Sequence, residues 1–230
     1  MKIVIIHGQS HQGSTYHIAR QLAEKLDGTI TEFFLPRDFD AFCVGCARCI
    51  KESETLCPHY EKLLPITQAL EAADVVILAS PVYVYHVTGS MKALLDHYGY
   101  LWMVHRPSPA MFRKQVVCIS TAAGAGMKST TKDLADSAFF WGTGKIYRYG
   151  VAIAAMSWQH VKPEMLRKID AKTTQIAEKI RRNACHVTPS LKTKAFFSLM
   201  RHLQKDGWNE ADKVYWQQYG WYKKQRPWKS

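Results

Sequence analysis

One stretch near the start of the chain reads Lys2-Ile3-Val4-Ile5-Ile6-His7-Gly8-Gln9-Ser10-His11-Gln12-Gly13-Ser14-Thr15. Its first half is an apolar run rich in β-branched residues, which predicts a buried β-strand. Glycines and small hydroxyl residues follow, and apolar residues then recur at helical spacing from Ile18 to Leu26. The stretch therefore predicts a strand, a tight turn and the beginning of a helix.

The turn between this strand and this helix is a candidate phosphate site. Free backbone N–H groups and the positive end of the helix dipole meet there, and both favour an anion. The turn matches neither G-x-G-x-x-G nor G-x-x-x-x-G-K-[ST], so neither a Rossmann dinucleotide site nor a Walker A loop is indicated. Its hydroxyl groups suit a compact terminal phosphate, such as that of FMN, better than a pyrophosphate. The alternative is an ordinary turn in which Ser10 or Ser14 caps the helix.

Strands and helices alternate along the rest of the chain. Further strands are expected at 29–35, 74–80, 115–121 and 145–155. Helical patterns cover 60–73, 88–102, 129–141 and 162–182. This alternation predicts an α/β fold with a doubly wound parallel sheet wrapped by helices, and five strands at this spacing suit a flavodoxin-like sheet of order 2-1-3-4-5. Ligands of such sheets bind at the carboxyl ends of the strands, near the switch point between strands one and three.

The composition is ordinary for a globular protein, with 47% hydrophobic and 22% charged residues. The sequence contains no run of 18 apolar residues and no secretory signal pattern, so we expect a cytoplasmic protein with reduced cysteines and no membrane partner. Of the net charge of +12, residues 181–230 carry +8, from eleven Lys or Arg and three acids. Such a tail attracts nucleic acid, anionic lipid or a phosphate-bearing cofactor such as NADPH, or is a solvated basic surface. Because nothing resembles a recognition helix or a zinc finger, nucleic acid is not the expected partner.

Two further strand ends carry loops that suit a flat aromatic ligand. The third strand runs into Ser80-Pro81-Val82-Tyr83-Val84-Tyr85, where the proline ends the ladder and the tyrosine rings can border a ring system. The fourth strand ends in Ser120-Thr121-Ala122-Ala123-Gly124-Ala125-Gly126, where glycine permits close backbone approach. The first loop would contact a phosphate, and these two would contact the edges and faces of a ring.

Together, these motifs resemble those of a known protein family. Ser80-Pro81-Val82-Tyr83, followed by Thr88-Gly89 and then Lys92 and Asp96, resembles the NAD(P)H-dependent FMN reductase branch of the flavodoxin-like superfamily over about residues 1–185. The resemblance implies an FMN site formed by Ser10, Gln12, Ser14, Thr15, Pro81, Val82, Tyr83, Val84, Thr121 and Gly124. His11-Gln12 departs from the family pattern, which places Arg or Lys near the phosphate, and leaves His11 or Arg20 as the charge partner.

Four cysteines form the second strong motif, Cys43-x2-Cys46-x2-Cys49-x7-Cys57. Four thiolates suit a tetrahedral zinc ion or a [4Fe–4S] cluster. The consecutive spacing, which ends in Cys-Pro, is similar to the compact motif of iron–sulfur flavoproteins on this same fold. Structural or redox-active thiols without a metal are the third alternative.

Other polar residues have plainer interpretations. Lys92 and Asp96 are expected to pair on a helix surface. His7 follows the first strand and could approach the flavin, but a solvent-facing turn is the expectation for it. His86, His97 and His105 are expected to be exposed or satisfied by a partner.

We predict a flavodoxin-like FMN-binding domain over 1–188, with a cysteine-rich insertion at 39–58, and a C-terminal helical extension over 189–230. Two helices, 191–205 and 209–219, are expected in the extension. Its aromatic density, which includes Trp208, predicts packing on its own domain or on a partner subunit.

The resemblance implies an FMN-dependent oxidoreductase that passes hydride from NAD(P)H to the flavin and on to a flavin, quinone or similar small acceptor. The flavin carries the chemistry, so no catalytic side chain is expected. A homodimer or higher homo-oligomer is expected, because such sites commonly lie at a subunit interface. The alternative is an FMN electron carrier, with or without an iron–sulfur cluster, that does not turn over NAD(P)H.

Overall fold

A computed structural model describes residues 1–155, 157–184, 186–205, 207 and 209–229. It contains one five-stranded sheet with the order β2-β1-β3-β4-β5, in which every neighbouring pair is parallel. The strands are β1 (Lys2–His7), β2 (Thr29–Phe34), β3 (Val75–Ala79), β4 (Gln115–Ala122) and β5 (Lys145–Ala152). The predicted fold class and strand order are confirmed.

The burial of the three inner strands, β1, β3 and β4, explains why their sequences are nearly continuous apolar runs. Nearly all of β1 and all of β3 are buried, and β4 is buried up to Thr121, because helices cover both faces of the sheet. The edge strands β2 and β5 mix buried and exposed positions.

Eight helices lie in the described part of the chain. They are α1 (Ser14–Glu24), α2 (Arg48–Lys51), α3 (Tyr60–Ala72), α4 (Gly89–His97), α5 (Met127–Phe140), α6 (Pro163–Asn183), α7 (Leu191–Lys205) and α8 (Glu210–Gln218). The helix expected over 88–102 is shorter than predicted, because α4 ends at His97 and a separate 3-10 turn spans Gly99–Leu101. Gly99 is a poor helix former, which agrees with a break at this point. None of the helices described combines the length and apolar character of a membrane span.

Two hydrophobic layers sandwich the sheet. One layer joins the sheet to α1 and α6, through residues such as Ile18, Leu22 and Ile176. The other joins it to α3, α4 and α5, through residues such as Ile66 and Leu94. Together they hold the carboxyl ends of the strands in a fixed arrangement.

The C-terminal extension adds a third hydrophobic cluster. Phe197, Trp216 and Trp221 from the extension pack with Met103 and Phe112 from the segment before β4. The ring of Trp216 stacks on that of Phe197 with centroids 4.9 Å apart. The aromatic residues described in the extension therefore pack on their own chain, whereas Trp208 lies outside the described residues.

Candidate functional site

The carboxyl ends of the strands meet at a cleft of about 450 Å³. Three loops border it: loop 1 (residues 8–13), loop 3 (residues 80–88) and loop 4 (residues 123–126). Backbone hydrogen bonds continue the ladder into these loops, from Gly8 N to Ala79 O at 2.7 Å and from Val82 N to Thr121 O at 2.9 Å. The cleft therefore rests on the rigid end of the sheet.

Loop 1 is held against α4 by hydroxyl groups. The Gly8 carbonyl accepts from Thr88 Oγ1 at 2.7 Å and from Ser90 Oγ at 2.9 Å. A Cβ atom at Gly8 would lie 2.9 Å from Thr88 Oγ1, which is too close for any side chain. Position 8 therefore requires glycine because loop 1 and loop 3 approach each other closely there.

Loop 3 contains a two-residue turn with unusual backbone angles. Tyr83 and His86 exchange backbone hydrogen bonds of 2.9 and 3.0 Å, and Val84 and Tyr85 between them have φ values of 48° and 66°. Two central residues at positive φ are typical of a type I′ turn, which normally contains Asn and Gly. The strained turn lies next to the cleft, where the Tyr83 hydroxyl accepts a 2.9 Å hydrogen bond from Gln9 Nε2.

The first turn of α1 faces the cleft with its N–H groups uncapped. Gly13 precedes the helix, no side chain caps it, and its first turn has no acidic residue. Ser14 and Thr15 both line the cleft, and the hydroxyls of Thr15 and Thr121 share a 2.6 Å hydrogen bond that ties α1 to β4. Hydroxyls and free N–H groups at a helix N-terminus suit a phosphate.

Two residues, His11 and Arg20, were suggested as the charge partner of this phosphate, and the structure places them differently. Arg20 NH1 donates to Glu32 at 2.7 Å and its NH2 donates to Glu24 at 2.9 Å, and Arg20 does not line the cleft. His11 lines the cleft, and a Cβ at Gly13 would lie 3.0 Å from its ring. Of the two candidates, His11 is the one beside the helix N-terminus.

Seven of the ten predicted cofactor residues line the cleft: Gln12, Ser14, Thr15, Pro81, Val82, Tyr83 and Thr121. Ser10, Val84 and Gly124 do not. The Ser10 hydroxyl donates to Leu35 O at 3.3 Å, Val84 is 93% exposed at the tip of its turn, and Gly124 is exposed in loop 4.

The structure adds cleft residues that the motifs did not indicate, namely Tyr16, His17, Ile153, Trp158 and Gln159. Tyr16 and His17 continue the first turn of α1, so the helix itself was a signal for them. Trp158 follows β5, outside every motif, and stacks on His17 with ring centroids 4.9 Å apart. Beyond this pair lies a wider groove of about 830 Å³ between α1 and α6.

His7 was expected in a solvent-facing turn, and that expectation is wrong. Its side chain is buried, stacks on Phe34 with ring centroids 4.5 Å apart, and donates through Nε2 to Glu32 at 2.8 Å. Burial lowers the pKa of His7, although the bond to Glu32 opposes this change. The residue ends β1, where its ring lies 5.1 Å from that of Tyr16 on α1 and lines the cleft.

The expectations for the other polar residues hold. Lys92 and Asp96 form an exposed ion pair on α4, and His86 pairs with Asp133 at 2.9 Å.

The four motif cysteines line a second, smaller cavity of about 150 Å³. Burial raises the pKa of the Cys49 thiol, and its neighbours Cys57, Cys43 and Cys46 raise it further because several thiolates repel one another. The five cysteines that the structure describes are all free of disulfides. A cation is what would allow these neighbouring thiols to ionise together, so the donor set fits a metal centre.

Two histidines, His59 and His97, line the same cavity as the four cysteines, and the sequence motif did not indicate them. His97 Nδ1 donates to Ala93 O at 2.7 Å, which leaves Nε2 to accept from His59 Nδ1 at 2.9 Å. The ligand atoms of Cys57, His59 and His97 lie within 4.8 Å of one another. Burial lowers the pKa of His97, in agreement with a neutral ring fixed by the α4 carbonyl.

Comparisons with solved structures support the fold. A flavone reductase aligns with a TM-score of 0.58 at 16% identity, covering 83% of this chain and 66% of that one. An FMN-dependent NADH-azoreductase from Bacillus anthracis, solved in complex with FMN, aligns with a TM-score of 0.57 at 13% identity, covering 78% and 99%. At such low identity these likenesses show the fold alone.

Comparisons of sequence identify the family to which the chain belongs. An iron–sulfur flavoprotein of Archaeoglobus fulgidus is 37% identical over 70 residues, 29% of each chain. An iron–sulfur flavoprotein of Methanocaldococcus jannaschii is 32% identical over 100 residues, 42% of this chain and 51% of that one. The chain thus spans about half or less of the length of these curated relatives. The family model described as NADPH-dependent FMN reductase matches residues 1–157, which carry all three loops, and this chain belongs to that family.

Proposed function

We propose that the protein is an FMN-dependent oxidoreductase that accepts hydride from NAD(P)H and passes reducing equivalents to a small acceptor. The observation that carries the proposal is the convergence of three strand-end loops on one cleft that an uncapped helix N-terminus also lines. Family membership agrees with this assignment.

The residues of the cleft divide into two groups by chemistry. Ser14, Thr15 and the first N–H groups of α1 would hold the phosphate of FMN, with His11 beside them. Pro81, Val82 and Tyr83 from loop 3 would border the ring, together with Thr121. When bound, the flavin supplies the hydride chemistry, and the protein supplies binding, orientation and exclusion of water. No side chain is assigned as a catalyst.

The nicotinamide substrate needs space next to the flavin. The wider groove adjoins the cleft through shared residues, among them Tyr16, His17 and Trp158, and Arg167 lies on its far side. A dinucleotide extending from the cleft into this groove would meet the stacked aromatic pair, and beyond it Arg167 and the carboxylates of Glu24 and Asp170. The preference for NADPH over NADH rests on the basic surface of the chain.

For the cysteine centre we propose a [4Fe–4S] cluster on Cys43, Cys46, Cys49 and Cys57. Their shared cavity and consecutive spacing support it. The clustered ligand atoms of Cys57, His59 and His97 instead favour zinc, so metal analysis decides between them. Protein purified without air should contain iron and acid-labile sulfide in equal amounts. Zinc without sulfide would contradict the cluster.

The function is tested with FMN-loaded protein and each nicotinamide in turn. We expect NADPH oxidation with a flavin, quinone or nitro-aromatic acceptor, with ping-pong kinetics because both substrates use one cleft. If FMN binds but neither NADPH nor NADH is oxidised, the protein is an electron carrier instead. If FMN does not bind, the assignment of the cleft is wrong. The homo-oligomer stays a prediction, which light scattering on the same sample checks.

A further inference from the structure

The C-terminal extension carries a buried carboxylate. Asp212 on α8 is 1% exposed, and its Oδ1 accepts from Arg106 NH1 at 2.7 Å. Its other oxygen accepts from His105 Nδ1 at 2.8 Å. Arg106 is buried as well, and its guanidinium faces two carboxylates, Asp212 at 2.7 Å and Glu54 of the insertion at 3.8 Å.

The same arginine reaches the cysteine-rich insertion. Arg106 NH1 donates to Ile50 O at 2.9 Å, and its NH2 donates to Cys49 O. Asn209, which caps α8, donates from Nδ2 to the same Ile50 carbonyl at 2.5 Å. Two successive carbonyls of the insertion, one belonging to a cysteine of the centre, are thus held by Arg106 and the extension.

The insertion has little regular structure with which to hold itself. Between Phe39 and Pro58 its only regular elements are the four-residue α2 and a 3-10 turn at Glu54–Leu56, and Cys43 and Cys46 are exposed. A loop of this kind relies on outside partners for its backbone groups. The donors on Arg106 and Asn209 therefore set the position of the loop at Cys49, which lines one cavity with the other three cysteines.

We propose that the C-terminal extension, acting together with Arg106 of the sheet domain, positions the cysteine centre, with Arg106, Asn209 and Asp212 as the positioning residues. Asp212 holds the guanidinium, and the guanidinium and Asn209 hold the loop. The part of this inference that concerns a bound cluster rests on the proposed function, whereas the part that concerns the loop does not.

Three variants in α8 or at its N-cap distinguish the role of Asn209 from that of Asp212. Asn209→Asp keeps an oxygen for the cap to Ala211 N but removes the donor to Ile50 O. Asp212→Asn keeps the shape of the side chain but removes the nearer of the two carboxylates that face Arg106. Glu210→Gln is the matched control, because this side chain is 82% exposed and its ion pair, at 3.8 Å, is with Lys213 of its own helix.

The first measurement is hydrogen exchange on the metal-free protein. We expect amides in 43–57 to exchange about tenfold faster in Asn209→Asp and faster still in Asp212→Asn, with Glu210→Gln unchanged. A rise confined to α7 and α8, with 43–57 unchanged in both variants, would show that the extension contributes stability alone. Asn209→Asp removes one hydrogen bond and keeps the cap, so it serves if Asp212→Asn does not fold.

The second measurement is the reduction potential of the reconstituted cluster. Asn209→Asp adds an anion near Cys49 and should lower the potential, whereas Asp212→Asn removes an anion beside Arg106 and should raise it. If the two variants shift the reduction potential in the same direction, or if neither shifts it, the proposal that these residues act on the cluster through their charges is overturned. If the wild type holds no iron, the cluster proposal fails, and the exchange of 43–57 alone decides whether the extension positions the loop.

Discussion

Ser10 and Ser14 stand in the same short segment, but only one of them faces the cleft. Ser14 lines it at the start of α1, whereas the Ser10 hydroxyl is directed to Leu35 O. We expect Ser14→Ala to weaken FMN binding about tenfold, since a hydrogen bond to a charged group contributes about 1.5 kcal/mol or more. Riboflavin, which lacks the phosphate, should bind equally well to the variant and the wild type. Fluorescence titration with both ligands measures this.

Ser10→Ala is the matched control for that titration. Because Ser10 does not line the cleft, we expect a change of less than about twofold in FMN affinity. A larger loss in Ser10→Ala than in Ser14→Ala would mean that loop 1 binds the phosphate in a different arrangement.

The buried histidines make stability depend on pH. Burial lowers the pKa of both His7 and His97 below the ordinary value of 6.5. As pH falls below about 6.5, the unfolded chain takes up protons that these folded-state rings resist, so the free energy of unfolding decreases. Urea denaturation at pH 7.5 and at pH 5.5 measures the loss. His7→Gln, which keeps a donor for Glu32 but cannot titrate in this range, should show a smaller loss, and an identical one would exclude His7 as a cause.

At the scale of elements, the turn in loop 3 stores backbone strain. Val84 and Tyr85 adopt positive φ, which costs about 1 kcal/mol or more for a β-branched residue. Val84→Asn should raise the free energy of unfolding by about 1 kcal/mol, because Asn tolerates this conformation. Chemical denaturation measures the gain.

Val214→Asn is the comparison for this substitution. Val214 lies on an exposed face of α8, where Val and Asn have similar helix propensity, so we expect a change below about 0.5 kcal/mol. Equal effects at both positions would show that the φ values of the turn are not the source of the gain.

The sequence predicts well whether a segment forms a helix or a strand, and less well the residue at which each helix or strand ends. The apolar runs of β3 and β4 and the spacing of α7 place these elements within a residue or two, because both patterns reflect burial by immediate neighbours. The short α4 was not predictable from periodicity, since its apolar pattern continues through the 3-10 turn that follows. The sequence signal for this end is Gly99, a poor helix former that follows α4.

At the scale of the whole molecule, the C-terminal extension shares a core with the sheet domain. Trp216 is fully buried among Phe197, Trp221 and other rings, and its Nε1 donates to His105 O at 2.5 Å. Trp216→Ala should reduce the free energy of unfolding by about 3–5 kcal/mol. Thermal or urea unfolding should remain a single transition, because Met103 and Phe112 link the cluster to the segment before β4.

Tyr219→Ala provides the reference for that loss. Tyr219 is 40% exposed, and we expect a smaller loss, of about 1 kcal/mol. Comparable losses at the two positions, or an early separate transition for the extension, would contradict a shared core. The domain boundary predicted at residue 188 stays a prediction until such unfolding data exist.

The sequence by itself determined the fold class, the three strand-end loops and the four cysteines, because each is a local pattern of burial, turn chemistry or spacing. Only the tertiary structure decided which of those residues share a site. It turned Ser10 away from the cleft, buried His7, added His59 and His97 to the cysteines, and joined Arg106 to Asp212 across 106 residues. The physical reason is that side-chain direction and the compensation of buried charge depend on contacts between segments that are far apart in the chain, which no local pattern records.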